Sequence, residues 1–234
     1  MTSSEPLLSE AECNAFWQSV ENVRAAVSRQ IAADPRPAAV IGFVQSVQQG
    51  IDAVVKARFS RGAQPDCKAG CSHCCHTCVE ALPAEVFRIA RHLAGCATED
   101  VKNIQVRLAQ QIAADNGAQS WKDRPACAFL QNNRCSIYEI RPGVCRKTHS
   151  LDVKQCASSA SEIPEDLGVL LDAEALIKGT ADAYHASGYE SAGTELARSV
   201  LMALTNPGLE ARWHQGERLF EGVGVTAISS TLTL

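Results

Sequence analysis

The sequence has no long apolar run. No stretch approaches the roughly 18 consecutive apolar residues of a membrane span, so no membrane partner is expected. The first residues, MTSSEPLLSEAEC, carry neither a basic n-region nor an apolar h-region. The expectation is a cytoplasmic protein whose thiols stay reduced. An excess of one charge is also missing. Lys and Arg number 22 against 26 Asp and Glu, a net −4, with a pI of about 5.9. Global electrostatics therefore give no reason to expect nucleic acid. There is no G-x-G-x-x-G loop, no P-loop and no Ser/His/Asp arrangement that spacing supports, so the reading leans away from an enzyme. Internal repeats and low-complexity segments are absent too.

What remains is an ordinary globular composition, 46% hydrophobic and 21% charged over 234 residues. A chain of that length buries a real core and does not need disulfides to fold. Yet it has 11 cysteines, an odd number that fits a full disulfide framework poorly. The first group is Cys67, Cys71, Cys74, Cys75 and Cys78. The second is Cys127, Cys135, Cys145 and Cys156. Thiols bunched this way in a reducing compartment point to metal.

The flanks read as helix. Ser9 and Glu12 have the form of a capping box, followed by Cys13, Phe16, Trp17, Val20, Val27 and Ile31 near a helical period. Pro35 and Pro37 break that helix, and a second runs from about Ala38 to Phe59. After the first cysteine group, Pro83 opens a helix that Gly95 ends. Thr98-Glu99-Asp100 caps another, which Asn116-Gly117 stops. The segment from Trp121 to Cys156 lacks helical period. Ala128-Phe129-Leu130 and Ser136-Ile137-Tyr138 could form a short hairpin through Gln131–Arg134. Helical pattern returns at Leu167–Ile177 and Leu196–Leu204, where Pro207-Gly208 stops it. The tail GVGVTAISSTLTL reads as frayed or docked. The expected fold is mainly α, a helical domain enclosing an irregular cysteine-rich metal-binding centre. Its segments are 1–62 (helical), 63–160 (cysteine cluster) and 161–234 (helical), all in one domain.

Cys71 and Cys74 form one C-x2-C pair, and Cys75 and Cys78 a second. Such a turn lets two thiolates converge on one ion or on neighbouring irons of a cluster. Neither a ferredoxin run nor a zinc finger fits, because Thr77 interrupts the one and no H-x3-5-H pair completes the other. His73 and His76 are candidate ligands, although exposed loop histidines are the commoner case. Arg141-Pro142-Gly143-Val144-Cys145 reads as a turn into a short helix. The helix dipole there is expected to lower the Cys145 pKa. Arg134, Arg141, Arg146 and Lys147 lie near these thiols in sequence, as charge compensation for a cluster or as a solvated basic face. Asp152, Glu139 and His149 are close by as well and read as solvated loop residues. Cys67-x3-Cys71-x2-Cys74 also has the radical-SAM spacing, but without SAM-binding glycines or a strand–helix alternation. Cys13 and Cys96 read as structural thiols.

C-x3-C-x2-C-C, then C-x-x-L, R-C-x-I-Y and R-P-x-x-C-R, resembles the YkgJ-type cysteine-cluster family, whose members are described as zinc- or iron-chelating domains. The resemblance covers about Cys67 to Cys156, with Leu130, Ile137, Tyr138, Arg141, Pro142 and Arg146 matching beside the cysteines. It implies metal ligands drawn from Cys67, Cys71, Cys74, Cys75, Cys127, Cys135 and Cys145, with Cys156 as an addition. Cys78 stands outside the motif. A similar motif occurs in a flagellin lysine methylase, associated there with an iron–sulfur cluster. This favours a [4Fe–4S] cluster over zinc as cofactor, in a chain that serves structural, redox or electron-transfer use with a redox or other protein partner. A zinc-binding structural or metal-handling protein is the alternative, and a component of a methylase-like enzyme the second alternative.

Overall fold

The computed structural model of the chain describes residues 8–116, 123–158 and 162–223. Nine α-helices and four two-residue strands follow one another among them. Helix α1 spans Glu10–Ala33 and begins at the expected capping box: Ser9 Oγ accepts from the Glu12 N–H at 3.3 Å, and Glu12 Oε2 accepts from the Ser9 N–H at 2.8 Å. Pro37 starts α2, Pro37–Phe59, and Pro83 starts α3, Pro83–Ala94, which Gly95 caps. Helix α4 is Thr98–Asp115. Its N-cap is Ala97, so Thr98 is already the first helical residue rather than the cap. The long α7 covers Leu167–Ala186, and α8 covers Leu196–Thr205.

Several small elements lie outside the expected pattern. They are α6 (Val153–Ala157), α9 (Leu209–His214) and a strand pair, β1 (Glu80–Ala81) with β4 (Thr194–Glu195), whereas α5 (Gly143–Lys147) is the short helix expected after Arg141-Pro142. All are too short to carry a periodic signal. The hairpin exists but is tighter than expected. Its strands are β2 (Leu130–Gln131) and β3 (Arg134–Cys135), joined by Asn132 and Asn133 at φ 49° and 57°. Two left-handed residues in a two-residue loop match the twist of the flanking strands, and Asn tolerates that conformation. Gly117, Trp121 and the tail from residue 224 lie outside the described residues.

Helix α1 packs along α7, and α2 lies against α7, α3 and α5. The α1–α7 contact closes at Gly179, where a Cβ would sit 2.6 Å from the Val20 carbonyl oxygen. A core runs through the flanking helices and under the hairpin. It includes Ile31, Val44, Phe87, Leu108, Phe129, Ile137, Tyr184 and Trp213. Each fully buried large side chain contributes about 1.5–3 kcal/mol. Trp213, Phe87, Phe220, Tyr184 and Tyr189 gather at one end, and the indole N–H of Trp213 donates to the Glu190 carbonyl at 2.9 Å. One finding goes beyond the sequence expectation. By length and a mean hydropathy of 1.3, α2 is apolar enough to cross a membrane. Here it gives Val40, Ile41, Val44 and Ile51 to the core, and its Asp52 and Arg58 pair with partners on other segments.

Candidate metal centre

The centre is built on a buried polar anchor. Glu85, on the first turn of α3, accepts from Gln48 Nε2 at 3.0 Å, from the Gly143 N–H at 2.8 Å and from the Leu82 N–H at 3.1 Å. Burial pushes its carboxyl above the usual range, and those three donors and nearby Arg146 oppose the shift. Leu82 and Gly143 stand at helix starts, where N–H groups have no intrahelical partner. One carboxylate thereby fixes where α3 and α5 begin, and α5 carries Cys145. Gly143 is required for this docking, since a Cβ there would lie 2.9 Å from Ile51 and 3.2 Å from Ile177.

Around this anchor the cysteines come from separate segments. A turn from Lys68, with Gly70 at φ +91°, brings Cys71 back toward Cys67 through Cys71 N–H to Lys68 O at 2.9 Å. A single turn of 3-10 helix, His73–His76, holds Cys74 and Cys75. The Cys127 N–H donates to the Cys75 carbonyl at 2.7 Å and joins the two sequence groups directly. Cys135 is on β3 opposite Leu130. Cys145 and Cys156 are on α5 and α6.

The thiols form two neighbourhoods. Cys145 lies within electrostatic reach of Cys127, Cys74 and Cys135, Cys135 of Cys74, and Cys127 of Cys135. Cys67 lies within reach of Cys71, Cys74 and Cys156. Cys74 stands where the two meet, with its thiol in contact with that of Cys75. Cys78 is set apart beside Arg124, Glu195 and Asp115. Among the described residues no three His, Cys, Asp or Glu side chains converge tightly enough to hold a single metal ion. A cleft of about 680 Å³ opens on the far side of α5, bordered by Val144, Glu174, Asp182 and Tyr189, and no cysteine lines it.

The thiol acidities run opposite to the expectation for Cys145. It does sit in the first turn of its helix, but burial, followed by the neighbouring thiols, raises its pKa far above normal. A five-residue helix is too short for its dipole to outweigh that desolvation. Burial also lifts Cys127, to about 11. Contact with Cys75 is the main cause raising Cys74.

The basic residues are sorted more sharply than sequence allowed. Only Arg141 of the expected four favours the inner thiolates, lowering Cys74 and Cys135. Its guanidinium stacks 3.7 Å over the Tyr138 ring. Arg146 is buried and structural. It donates to the carbonyls of Arg141 (2.9 Å) and Glu139 (2.6 Å) and pairs with Asp52. Lys147 pairs with Glu174, and Arg134 is exposed. Arg107 on α4, which sequence reading missed, stands near Cys127 and donates to the Leu130 carbonyl. The sequence signal for it was its place beside Leu108, one of two inward residues of α4 with Ile104.

Nor is His149 a solvated loop residue. It is buried, its Nδ1 meets the Lys147 carbonyl at 2.8 Å, and its Nε2 accepts from the Asp166 N–H at 2.7 Å. These partners assign the proton to Nδ1 and leave no nitrogen for a metal. Asp152 caps α6 through the Lys154 N–H at 2.9 Å. His73 and His76 are exposed on their turn.

Compared with known protein families, residues 66–163 match CxxCxxCC, described as "Putative zinc- or iron-chelating domain". The match takes in both cysteine groups, and most of the helical frame lies outside it. Metal chelation is the chemistry the family description names, with zinc and iron both open. No curated protein and no solved structure matches the chain.

Proposed function

We propose that the CxxCxxCC domain holds a [4Fe–4S] cluster on Cys74, Cys127, Cys135 and Cys145, for structural, redox or electron-transfer use. The supporting observation is the inner ring itself. Its thiols come from four segments of chain, lie within reach of one another and are half-buried except for Cys74. Ionised together, they would repel one another with little more than Arg141 and Arg107 to compensate. A cationic centre between them removes that penalty, because a coordinated thiol is deprotonated outright.

Tetrahedral zinc with Zn–S bonds of about 2.3 Å draws its sulfurs to within ~4 Å of each other. No three side chains here gather on one point in that way. A four-iron cluster spreads its thiolates over the corners of a cube, so its ligands need not gather on one ion. Bound there, the cluster supplies a one-electron couple. The exposed Cys74 edge, beside Arg141 and the exposed ring of Tyr138, gives a redox partner access.

The second reading is zinc on the same thiols, favoured by the family description, which names it beside iron. Iron, zinc and acid-labile sulfide are counted on anaerobically purified protein, with the visible spectrum of the same sample. About four irons and four sulfides per chain, lost in Cys145→Ser, are the expected result. Zinc without sulfide overturns the cluster.

A further inference from the structure

We propose that the cleft on the far side of α5 binds a linear polyamine, an aliphatic chain carrying several ammonium groups. The cleft is separate from the thiols. No cysteine lines it, and most of its lining, from Glu174 to Glu221, lies outside residues 66–163.

Its size and floor come first. The cleft holds about 680 Å³, within the roughly 300–1,000 Å³ of small-molecule sites. Leu82, Val144, Ile177 and Ala181 give it apolar surface, on which methylene groups can be buried. Tyr189 stands at its wall, its ring fixed by stacking on Trp213 with centroids 4.8 Å apart. An aromatic ring attracts a cation brought against it.

Charge sets the sign of the ligand. Six carboxylates border the cleft against two cationic side chains, Lys178 and Arg218. Asp182 pairs with Lys178, Glu221 with Arg218, and Glu174 with Lys147, while Glu85 is occupied by its own three donors. Glu190 and Glu80 remain. Glu190 accepts from the Leu219 and Phe220 N–H groups at 2.7 and 2.9 Å and forms no ion pair among the described residues. Glu80, on β1, has neither a hydrogen-bond nor an ion-pair partner among them. Gly193 leaves room for its carboxylate, since a Cβ there would lie 3.2 Å from Glu80 Oε2. Low-dielectric walls concentrate the field of such unanswered charges within a cleft.

The spread of the acids decides between a metal ion and an organic cation. No three His, Cys, Asp or Glu side chains among the described residues gather tightly enough to hold a metal ion. A polyamine distributes its charges along an apolar chain, which matches carboxylates set apart around an apolar floor.

The test titrates spermidine into the full chain by calorimetry at matched metal content, with Mg²⁺ and neutral hexanediol as comparison ligands. Saturable one-to-one binding of spermidine is expected, weakened as salt rises from about 0.05 M to about 0.5 M, with none for hexanediol. Glu80→Gln should weaken it about two- to fivefold, and Glu80→Lys further. Glu99→Gln makes the same charge change on the exposed surface of α4 and should leave affinity unchanged. Glu80 is exposed, so the far-UV dichroism of its variants should match the wild type. Absence of saturable uptake overturns the proposal, as does equal affinity in wild type and Glu80→Lys. Mg²⁺ that displaces spermidine at equal concentration overturns it in favour of a general counter-ion surface, and equal binding of hexanediol overturns the part assigned to charge.

Discussion

Replacing Glu85 tests the anchor on which the centre depends. Its carboxylate serves three donors, two of them backbone N–H groups at helix starts. Glu85→Ala leaves all three without an acceptor inside the core. A buried unsatisfied donor costs about 1–3 kcal/mol, so the total loss is on the order of 3–6 kcal/mol, allowing for non-additivity. That is a large part of the ~5–15 kcal/mol that stabilises a typical domain. Glu85→Gln keeps the shape. With its oxygen toward Gln48 and Gly143, its amide faces the Leu82 N–H, and one mismatch of about 1–3 kcal/mol results.

The pH dependence carries the sign. Burial raises the folded pKa of Glu85 above its ordinary value of 4.5. Between the two pKa values the folded chain binds more protons than the unfolded one. The contribution of Glu85 is therefore fully present below pH 4.5 and is lost as pH rises through the folded pKa. Gln does not titrate, so the stability advantage of wild type over Glu85→Gln should shrink as pH rises above 4.5 through the raised folded pKa. Urea unfolding of both proteins under reducing conditions, at matched metal content, measures it, and the difference cancels the groups they share. An advantage that grows with pH would mean that the carboxylate is stabilised as an anion by its donors, and the desolvation argument would fail.

Three further outcomes follow from local geometry. Gly179→Ala places a Cβ 2.6 Å from a backbone oxygen of α1, and this overpacking should lower stability by about 1–3 kcal/mol and the melting temperature with it. Gly143→Ala meets Ile51 at 2.9 Å, and it should cost a similar amount and lower metal content as well, because α5 carries Cys145. Arg146→Met keeps the bulk but leaves the carbonyls of Arg141 and Glu139 without their donor. A loss of about 1–3 kcal/mol per carbonyl is the ceiling, and an unchanged unfolding midpoint would show that water replaces both bonds.

Much of the frame was legible because its signals are local. Ser9 and Glu12, Pro37, Pro83 and Gly95 mark helix ends through their own chemistry, and the structure places each end within a residue of its signal. The exception at Thr98 is instructive. Ala97 caps α4 without a side chain, so the Thr signal fell one residue late. Helices α6 and α9 were hidden for a different reason, whereas Pro142 marked the start of α5. A helix of five or six residues completes too few turns to show a period, and only its neighbours make it stable. The hairpin was read from its β-branched and aromatic residues, whereas the loop was decided by Asn132-Asn133. Reading that pair as the turn would have set the register correctly.

The site was legible in composition but not in roles. Spacing brought Cys74, Cys75, Cys127, Cys135 and Cys145 into one reading, yet it could not separate the Cys67–Cys71–Cys156 neighbourhood from the inner ring. That separation depends on Asp66 reaching Ser150 and Val153, more than 80 residues away. Charge was harder still. Arg141 and Arg146 are five residues apart and look alike in sequence, but Arg141, which also lies 3.8 Å from Asp52, favours the thiolates of Cys74 and Cys135, while Arg146 is spent on Asp52 and two carbonyls. Arg146 is buried against Asp52 of α2, while Arg141 stacks on the Tyr138 ring and donates to the Tyr138 carbonyl at 2.8 Å. In this domain the residues that hold the frame and those that can tune a metal are interleaved along one short loop. A substitution there must be read by two measurements, stability and metal content, before it is assigned to either.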